Sequence, residues 1–281
     1  MRKKLKPIVV IGFFLTFFAI IFISGVYGNR ATAGKETTIT QSNTNPTSIE
    51  TIPSSSYYIT NALEMKPIID VSAWQRPSEI DYNTLSKNIS GAIVRIQSGS
   101  HTKNENTATD KNGLDKAFDT HIKEFQARNI PVAVYAYVTG NSIDSMKEEA
   151  RSFYEAANKY NPTFYWLDVE EHTMDDMNGG VEAFRQELES LGAKNIGIYV
   201  GTYFMEDHSI NVDKFDAVWI PTYGVDSGYY NAAPSTDLDY DLHQYTSRGY
   251  VNGFENYLDL NIITTLKDPN EVYRKLFTTP E

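Results

Sequence analysis

Downstream of about residue 63, short apolar, β-branched or aromatic runs alternate with segments of helical period, the pattern of parallel strands joined by crossover helices. Eight runs read as strands: Ile68 to Ser72, Ala92 to Ile96, Val132 to Tyr137, Phe164 to Glu170, Ile196 to Val200, Ala217 to Pro221, Leu242 to Tyr245 and Tyr257 to Leu260. Between the second and third, Leu114, Ala117, Phe118, Ile122 and Phe125 recur on one helical face, closed by Asn129 and Pro131. Between the third and fourth, Asn141 or Ser142 caps a helix that turns Met146, Ala150, Phe153 and Ala157 inward and ends before Pro162. After the fourth, Val181, Phe184, Leu188 and Leu191 share a face, with Gly192 as the stop. Then the pattern changes: 201–216 and 222–241 carry turn residues and little helical period, so the last third is expected to be strand-rich rather than an even βα repeat. No internal repeat marks a solenoid or an array of repeated modules.

The amino-terminal end follows a different rule. Arg2, Lys3, Lys4 and Lys6 precede an uncharged apolar run from Pro7 to Gly28, and the next charge is Arg30. Signal-peptide cores run to about 7–15 residues and a membrane span needs roughly 20, so residues 1–29 read as an uncleaved transmembrane anchor. Positive charge before the run directs the rest of the chain outside, and cleavage after Gly28 would instead release a secreted protein. Residues 30–62, rich in Ser, Thr and Asn and containing Pro46 and Pro53, read as a flexible stalk. Residues 63–281 have the size of one β/α barrel.

Composition narrows the function classes. The chain has 281 residues, a formal net charge of -11 and 41% hydrophobic residues. Setting aside the four basic residues of the anchor leaves 21 Lys+Arg against 36 Asp+Glu, which argues against nucleic-acid binding. Bulk charge would not hold such a body to an anionic polymer, so contact with one requires a shaped site. Without cysteine there are no disulfides, and small stapled scaffolds are excluded. His101, His121, His172 and His208 fall in helical or loop context and are expected at the surface; only His243 sits on a strand. No His or Cys pair has zinc-site spacing, so no metal is expected.

The chemistry collects in acids at strand ends, where a β/α barrel gathers its loops. Asp70 closes one strand, Asp168 and Glu170 close Phe164-Tyr-Trp-Leu-Asp-Val-Glu, and Asp259 lies in Tyr257-Leu-Asp-Leu-Asn261. An acid in an apolar strand is costly unless paired or facing a cavity. Strand side chains alternate, so Asp168 and Glu170 share a face with Trp166, and two carboxyls that close cannot both ionise easily. A proton donor beside a fixed negative charge suits glycosidic cleavage, with Glu170, the longer and outermost, as general acid and Asp168 orienting the reacting group. Aromatic rings at strand ends stack on sugars. Tyr137, Trp219, Tyr223, Tyr245 and Trp74 are the contacts expected from a wider set that includes Tyr135, while Gln75 and Gln244 either bond acetamide groups or cap backbone.

Four segments in order, Asp70-Val-Ser-Ala-Trp-Gln75, Leu167-Asp-Val-Glu170, Gln244-Tyr-Thr-Ser-Arg-Gly249 and Leu258-Asp-Leu-Asn261, resemble the signatures of glycoside hydrolase family 25 lysozymes. Asp115 to Phe118 and Val132-Ala-Val-Tyr-Ala-Tyr137 resemble that family's second helix and third strand, and the likeness runs from about Lys66 to Ile263. The resemblance implies an irregular (β/α)5(β)3 TIM-like barrel that cleaves the β-1,4 bond from N-acetylmuramic acid to N-acetylglucosamine in bacterial peptidoglycan, without cofactor and as a monomeric domain. It also implies Glu170 as proton donor, Asp168 as stabiliser of an intermediate formed by the substrate's own acetamide, and Asp70 and Asp259 as site-shaping carboxylates. Two departures bear on substrate range: His243 stands where the family commonly has Trp, and Arg95-Ile-Gln-Ser-Gly99 where it often has Lys-Ala-Thr-Glu-Gly. Two other classes remain open: a barrel hydrolase using magnesium or calcium on the four acids, and a wall-binding module without turnover.

Overall fold

The computed structural model describes residues 54–99 and 105–280. The expected anchor over 1–29, most of the stalk and His101 lie outside the described residues; among those described, no helix is long and apolar enough to cross a membrane. Eight strands close into one barrel in sequence order: β1 (Ile68–Val71), β2 (Gly91–Ser98), β3 (Val132–Tyr137), β4 (Tyr165–Val169), β5 (Ile196–Val200), β6 (Ala217–Pro221), β7 (Leu242–Gly249) and β8 (Leu258–Ile263). Neighbours pair in parallel from β1 to β7, whereas β8 runs antiparallel to both β7 and β1.

The helices are α1 (Ser54–Glu64), α2 (Tyr82–Leu85), α3 (Phe118–Gln126), α4 (Ile143–Ala157), α5 (Met177–Ser190), α6 (Thr202–Asp207) and α7 (Pro269–Phe277). Regular crossover helices follow β2, β3 and β4, α6 has only six residues, and 222–241 contain no helix, as the fading helical period predicts. Ser142 caps α4 through its side chain, and Met146, Ala150, Phe153 and Ala157 are buried beneath it. Gly192 ends the segment after α5 with φ +93, a left-handed turn that a side chain would strain.

Three expectations change. The stretch read as stalk already contains α1, whose Ala62 is fully buried; its Ser-rich start hides a short helix that tertiary packing stabilises. Leu114 precedes α3 and lies in an isolated bridge with Gln97. His121 is not at the surface but fully buried: Tyr82 donates to its Nδ1 at 2.7 Å and its Nε2 donates to the Ser72 carbonyl at 3.1 Å. Both ring nitrogens are thereby used, which lets a neutral imidazole sit in the core.

Strand alternation divides the core in two. Ile69, Val94, Val134 and Leu167 face the helices, while Ile68, Ile93, Ala133, Phe164, Trp166, Ala217 and Leu242 fill the barrel. Val272, Leu276 and Phe277 of α7 join the inner cluster, so α7 closes the floor. Gly197 makes room inside: a Cβ there would lie 2.4 Å from the Trp166 ring. That ring stacks on Phe164 at 4.9 Å and meets Trp219 edge-on at 5.6 Å, filling the layer directly beneath the mouth.

Candidate active site

The same parity that sends Ile68, Ile93, Ala133, Phe164 and Leu242 inward brings up, two residues further toward the mouth, Asp70, Arg95, Tyr135, Trp166 and then Asp168, and Gln244. Because β8 is reversed, its inward residues rise in the opposite order, Ile263, Asn261, Asp259. Asp70 and Asp259 are direct cross-strand partners. A cavity of about 170 Å³ is lined by Asp70, Asp168, Glu170 and Asp259, together with Tyr135, Tyr199, Trp219, Tyr223 and Gln244. The four acids singled out from three distant stretches therefore meet in one cavity, Glu170 exposed and Asp168 buried below it.

A chain of hydrogen bonds organises one wall. Tyr199 and Tyr223 donate to Gln244 Oε1 at 2.8 and 2.6 Å, and Gln244 Nε2 donates to Asp70 Oδ2 at 2.9 Å. Asn261 Nδ2 donates to the same oxygen at 2.8 Å, while its Oδ1 accepts from Trp219 Nε1 at 2.8 Å. Asp70 is thus fixed by two amide donors, whereas Asp168 Oδ1 is buried without any partner. That orphan acceptor is where a ligand's donor fits.

Burial is the leading cause of every carboxyl shift here. It pushes Asp70 up to about 6 against the pull of Asn261 and Gln244, and Asp259 up to about 8 with help from the charge of Asp70. Asp168 is raised well above the carboxylate range by burial and then by Glu170 and Asp70, with Arg95 opposing. Glu170 is raised by burial, then by Glu171 and Asp70. The four cannot all ionise near neutral pH, and the protons they retain belong to the group as a whole. Among the described residues no set of three or more His, Cys, Asp or Glu side chains is placed to hold a metal ion.

The expected sugar contacts separate by position. Trp219, Tyr223 and Gln244 line the cavity. Tyr137 stands at the rim, donating to Glu171 Oε1 at 2.6 Å. Trp74 is exposed on the connection after β1. Tyr245 turns to the outer side, edge-on to Tyr230 at 6.1 Å and to His243 at 6.4 Å. Gln75 caps backbone, accepting from the Ser72 N–H at 2.9 Å.

The sequence model of glycosyl hydrolases family 25 matches residues 69–254, which include Asp70, Asp168, Glu170 and Gln244. The chain belongs to glycosyl hydrolase family 25. Among solved structures, it is similar to GHIP, a glycosyl hydrolase 25 of Streptococcus pneumoniae described as a virulence factor participating in host cell invasion, with 57% identity over 80% of this chain and 98% of that one and a TM-score of 0.75. The catalytic domain of endolysin ply40, from bacteriophage P40 of Listeria monocytogenes, is 25% identical over 74% of this chain and 97% of that one, with a TM-score of 0.63. A bacterial lysozyme from Streptomyces coelicolor shares the fold at 18% identity over 77% of this chain and 99% of that one, with a TM-score of 0.61. A comparison with curated protein sequences finds no match.

Both departures from the family 25 pattern have a definite place. His243 is outside the cavity wall, buried, donating through Nε2 to the Thr222 carbonyl at 2.8 Å; burial lowers its pKa to about 4 and keeps it neutral. Arg95 is buried inside the barrel, with Nε 3.0 Å and a terminal nitrogen 2.9 Å from Asp115 Oδ2. Asp115 also accepts from the Ala73 N–H at 2.9 Å and the Ala117 N–H at 2.8 Å, tying the loop after Asp70 to the start of α3. Sequence reasoning assigned no role to Tyr199, Asn261 or the Arg95–Asp115 pair. Tyr199 and Asn261 were reachable by parity, since each falls on the inward register of its strand; the ion pair was not, because Asp115 lies in a loop.

Proposed function

We propose that this chain is a peptidoglycan hydrolase that cuts the β-1,4 bond between N-acetylmuramic acid and N-acetylglucosamine. The reading rests on one observation above all: Glu170, exposed at the mouth, stands one strand-pair beyond Asp168, whose Oδ1 is buried without a partner, in a cavity shared with Asp70 and Asp259. Glu170 gives its proton to the glycosidic oxygen as the bond to C1 breaks. The acetamide carbonyl oxygen of the same sugar bonds to C1, and its N–H fills the vacant acceptor of Asp168, favouring the ionised aspartate that offsets the developing positive charge. Water then opens the ring intermediate, its proton passing to the Glu170 carboxylate. Asp70, held by Gln244 and Asn261, and Asp259 shape the pocket around the sugar. Membership of the family and likeness to an endolysin domain support this substrate class. The basic residues followed by the apolar run Pro7 to Gly28 support work at the cell surface, from an anchor or after secretion.

Digestion of purified bacterial wall by the full chain, with and without EDTA, tests the reading. New muramic acid reducing ends that survive chelation are expected. Glucosamine ends would reassign the bond, loss of activity in EDTA would move the chemistry to a metal, and the absence of new ends would leave a binding module.

A further inference from the structure

The catalytic cavity, about 170 Å³, is smaller than the roughly 300–1,000 Å³ in which proteins enclose a drug-sized ligand. A glycan strand is far longer, so sugars flanking the cut bond must rest on the rim. The rim is unusual in one respect. Trp74, Tyr203, Tyr229, Tyr250 and Tyr257 are the exposed aromatic rings among the described residues, and all five lie on connections at the mouth end of the barrel. Rings left in water forgo their burial energy, and among these five Tyr250 and Tyr257 touch each other and so form a patch rather than scattered single rings.

Three neighbouring side chains on the β7–β8 side form a built surface. Tyr250 and Tyr257 pack at 4.8 Å between ring centroids, and the Arg248 guanidinium lies 5.0 Å over the Tyr257 ring with a terminal nitrogen 3.4 Å from its hydroxyl. Tyr257 is thus braced from one side, while Tyr250 stays 65% exposed. Tyr250 also borders a cleft of about 500 Å³ with Asn252, Phe254 and three acids, Glu79, Asp81 and Glu255. That cleft has no Lys or Arg in its lining, which suits hydroxyl donors and disfavours an anionic phosphate polymer. The cleft and the catalytic cavity share no lining residue, but the connection that carries this surface joins the two strands that bear Gln244 and Asp259.

Resting on the glycan-hydrolase reading above, we propose that the Arg248–Tyr257–Tyr250 ladder is a second glycan-binding subsite, on which a sugar of the strand beyond the catalytic cavity lies flat against Tyr250. Arg248 is a positioning residue that holds the ring stack rigid, and Glu255 of the adjoining cleft accepts sugar hydroxyls, while Asp81 is occupied capping α2.

The test compares kcat/KM of the full chain on long purified glycan strands and on a short soluble fragment of two disaccharides. Tyr250→Ala should lower the long-to-short ratio about tenfold, through KM, the size expected of losing one stacking contact. Tyr250→Phe, which keeps the ring, should restore it. On the Glu170→Gln background, adding Tyr250→Ala should weaken sedimentation with insoluble wall by a similar factor. An unchanged ratio, equal loss on both substrates, or undiminished sedimentation would overturn the subsite. Failure of the unmutated chain to cut either substrate would instead refute the hydrolase reading, and the sedimentation arm would still decide the subsite.

Discussion

Between pH 6.5 and 8 the barrel should lose stability, and Asp259 should be a principal cause. Its carboxyl ionises near 3.8 in an unfolded chain and holds its proton to about 8 in the fold. The unfolded state therefore releases the proton first. The stabilisation is complete below 3.8 and is lost progressively as pH rises to 8, at about 1.4 kcal/mol per pH unit. Below 6.5 an opposite trend intervenes. Buried His243, with a folded pKa of about 4 against 6.5 unfolded, loses stability as pH falls, and His121 follows the same direction. Above 6.5 both histidines are neutral in the fold and lose their remaining charge in the unfolded chain, an opposing gain of about 0.4 kcal/mol each that is smaller than the loss from the acids. From 6.5 to 8 the loss from Asp259 is about 2 kcal/mol, a large part of a stability of roughly 5–15 kcal/mol. Asp168 adds to it in the same direction. Urea unfolding followed by the fluorescence of the buried Trp166 and Trp219 measures this directly. Wild type should unfold at lower urea at pH 8 than at 6.5, and Asp259→Asn should flatten that difference and raise the midpoint at pH 8. A wild-type midpoint that holds or rises across this interval, or an unaltered slope in Asp259→Asn, would refute the burial of this carboxyl at the mouth.

Three further outcomes follow from named contacts. Glu170→Gln should not lower the urea midpoint while wall cleavage falls about 10²–10⁴-fold; cleavage within tenfold of wild type removes Glu170 as proton donor. Arg95→Met leaves the Asp115 carboxylate buried and unpaired, at a cost of about 3–5 kcal/mol in urea unfolding, and Arg95→Lys should recover part of it. A loss below about 1 kcal/mol in Arg95→Met would mean that the pair is not buried as described. Gly197→Ala drives a methyl into the Trp166 ring, costing about 1–3 kcal/mol and shifting tryptophan fluorescence; an unmoved spectrum would mean the ring has room to give way.

Much of this architecture was legible because a barrel enforces alternation. Once the apolar runs are placed, parity alone turns Asp70, Asp168, Glu170 and Gln244 to one side and Val169 and His243 to the other. What escaped depends on partners remote in sequence. His121 looks like a polar helix residue until Tyr82 and the Ser72 carbonyl take up both its nitrogens. Tyr245 has the aromatic character of a sugar contact but sits one residue out of register with Gln244, so it packs against Tyr230. The reversal of β8 is written in the brevity of the 250–257 connection, which leaves no room for a crossover helix, rather than in any residue type.

The closed floor also has a consequence for the way the domain comes apart. α1 packs against α7 and β8, so the segment that leads into β1 is secured at the sealed end of the barrel. The contacts that secure it lie at the end that does no chemistry. Loosening the α1 and α7 contacts therefore disturbs the floor before it reaches the carboxylates at the mouth.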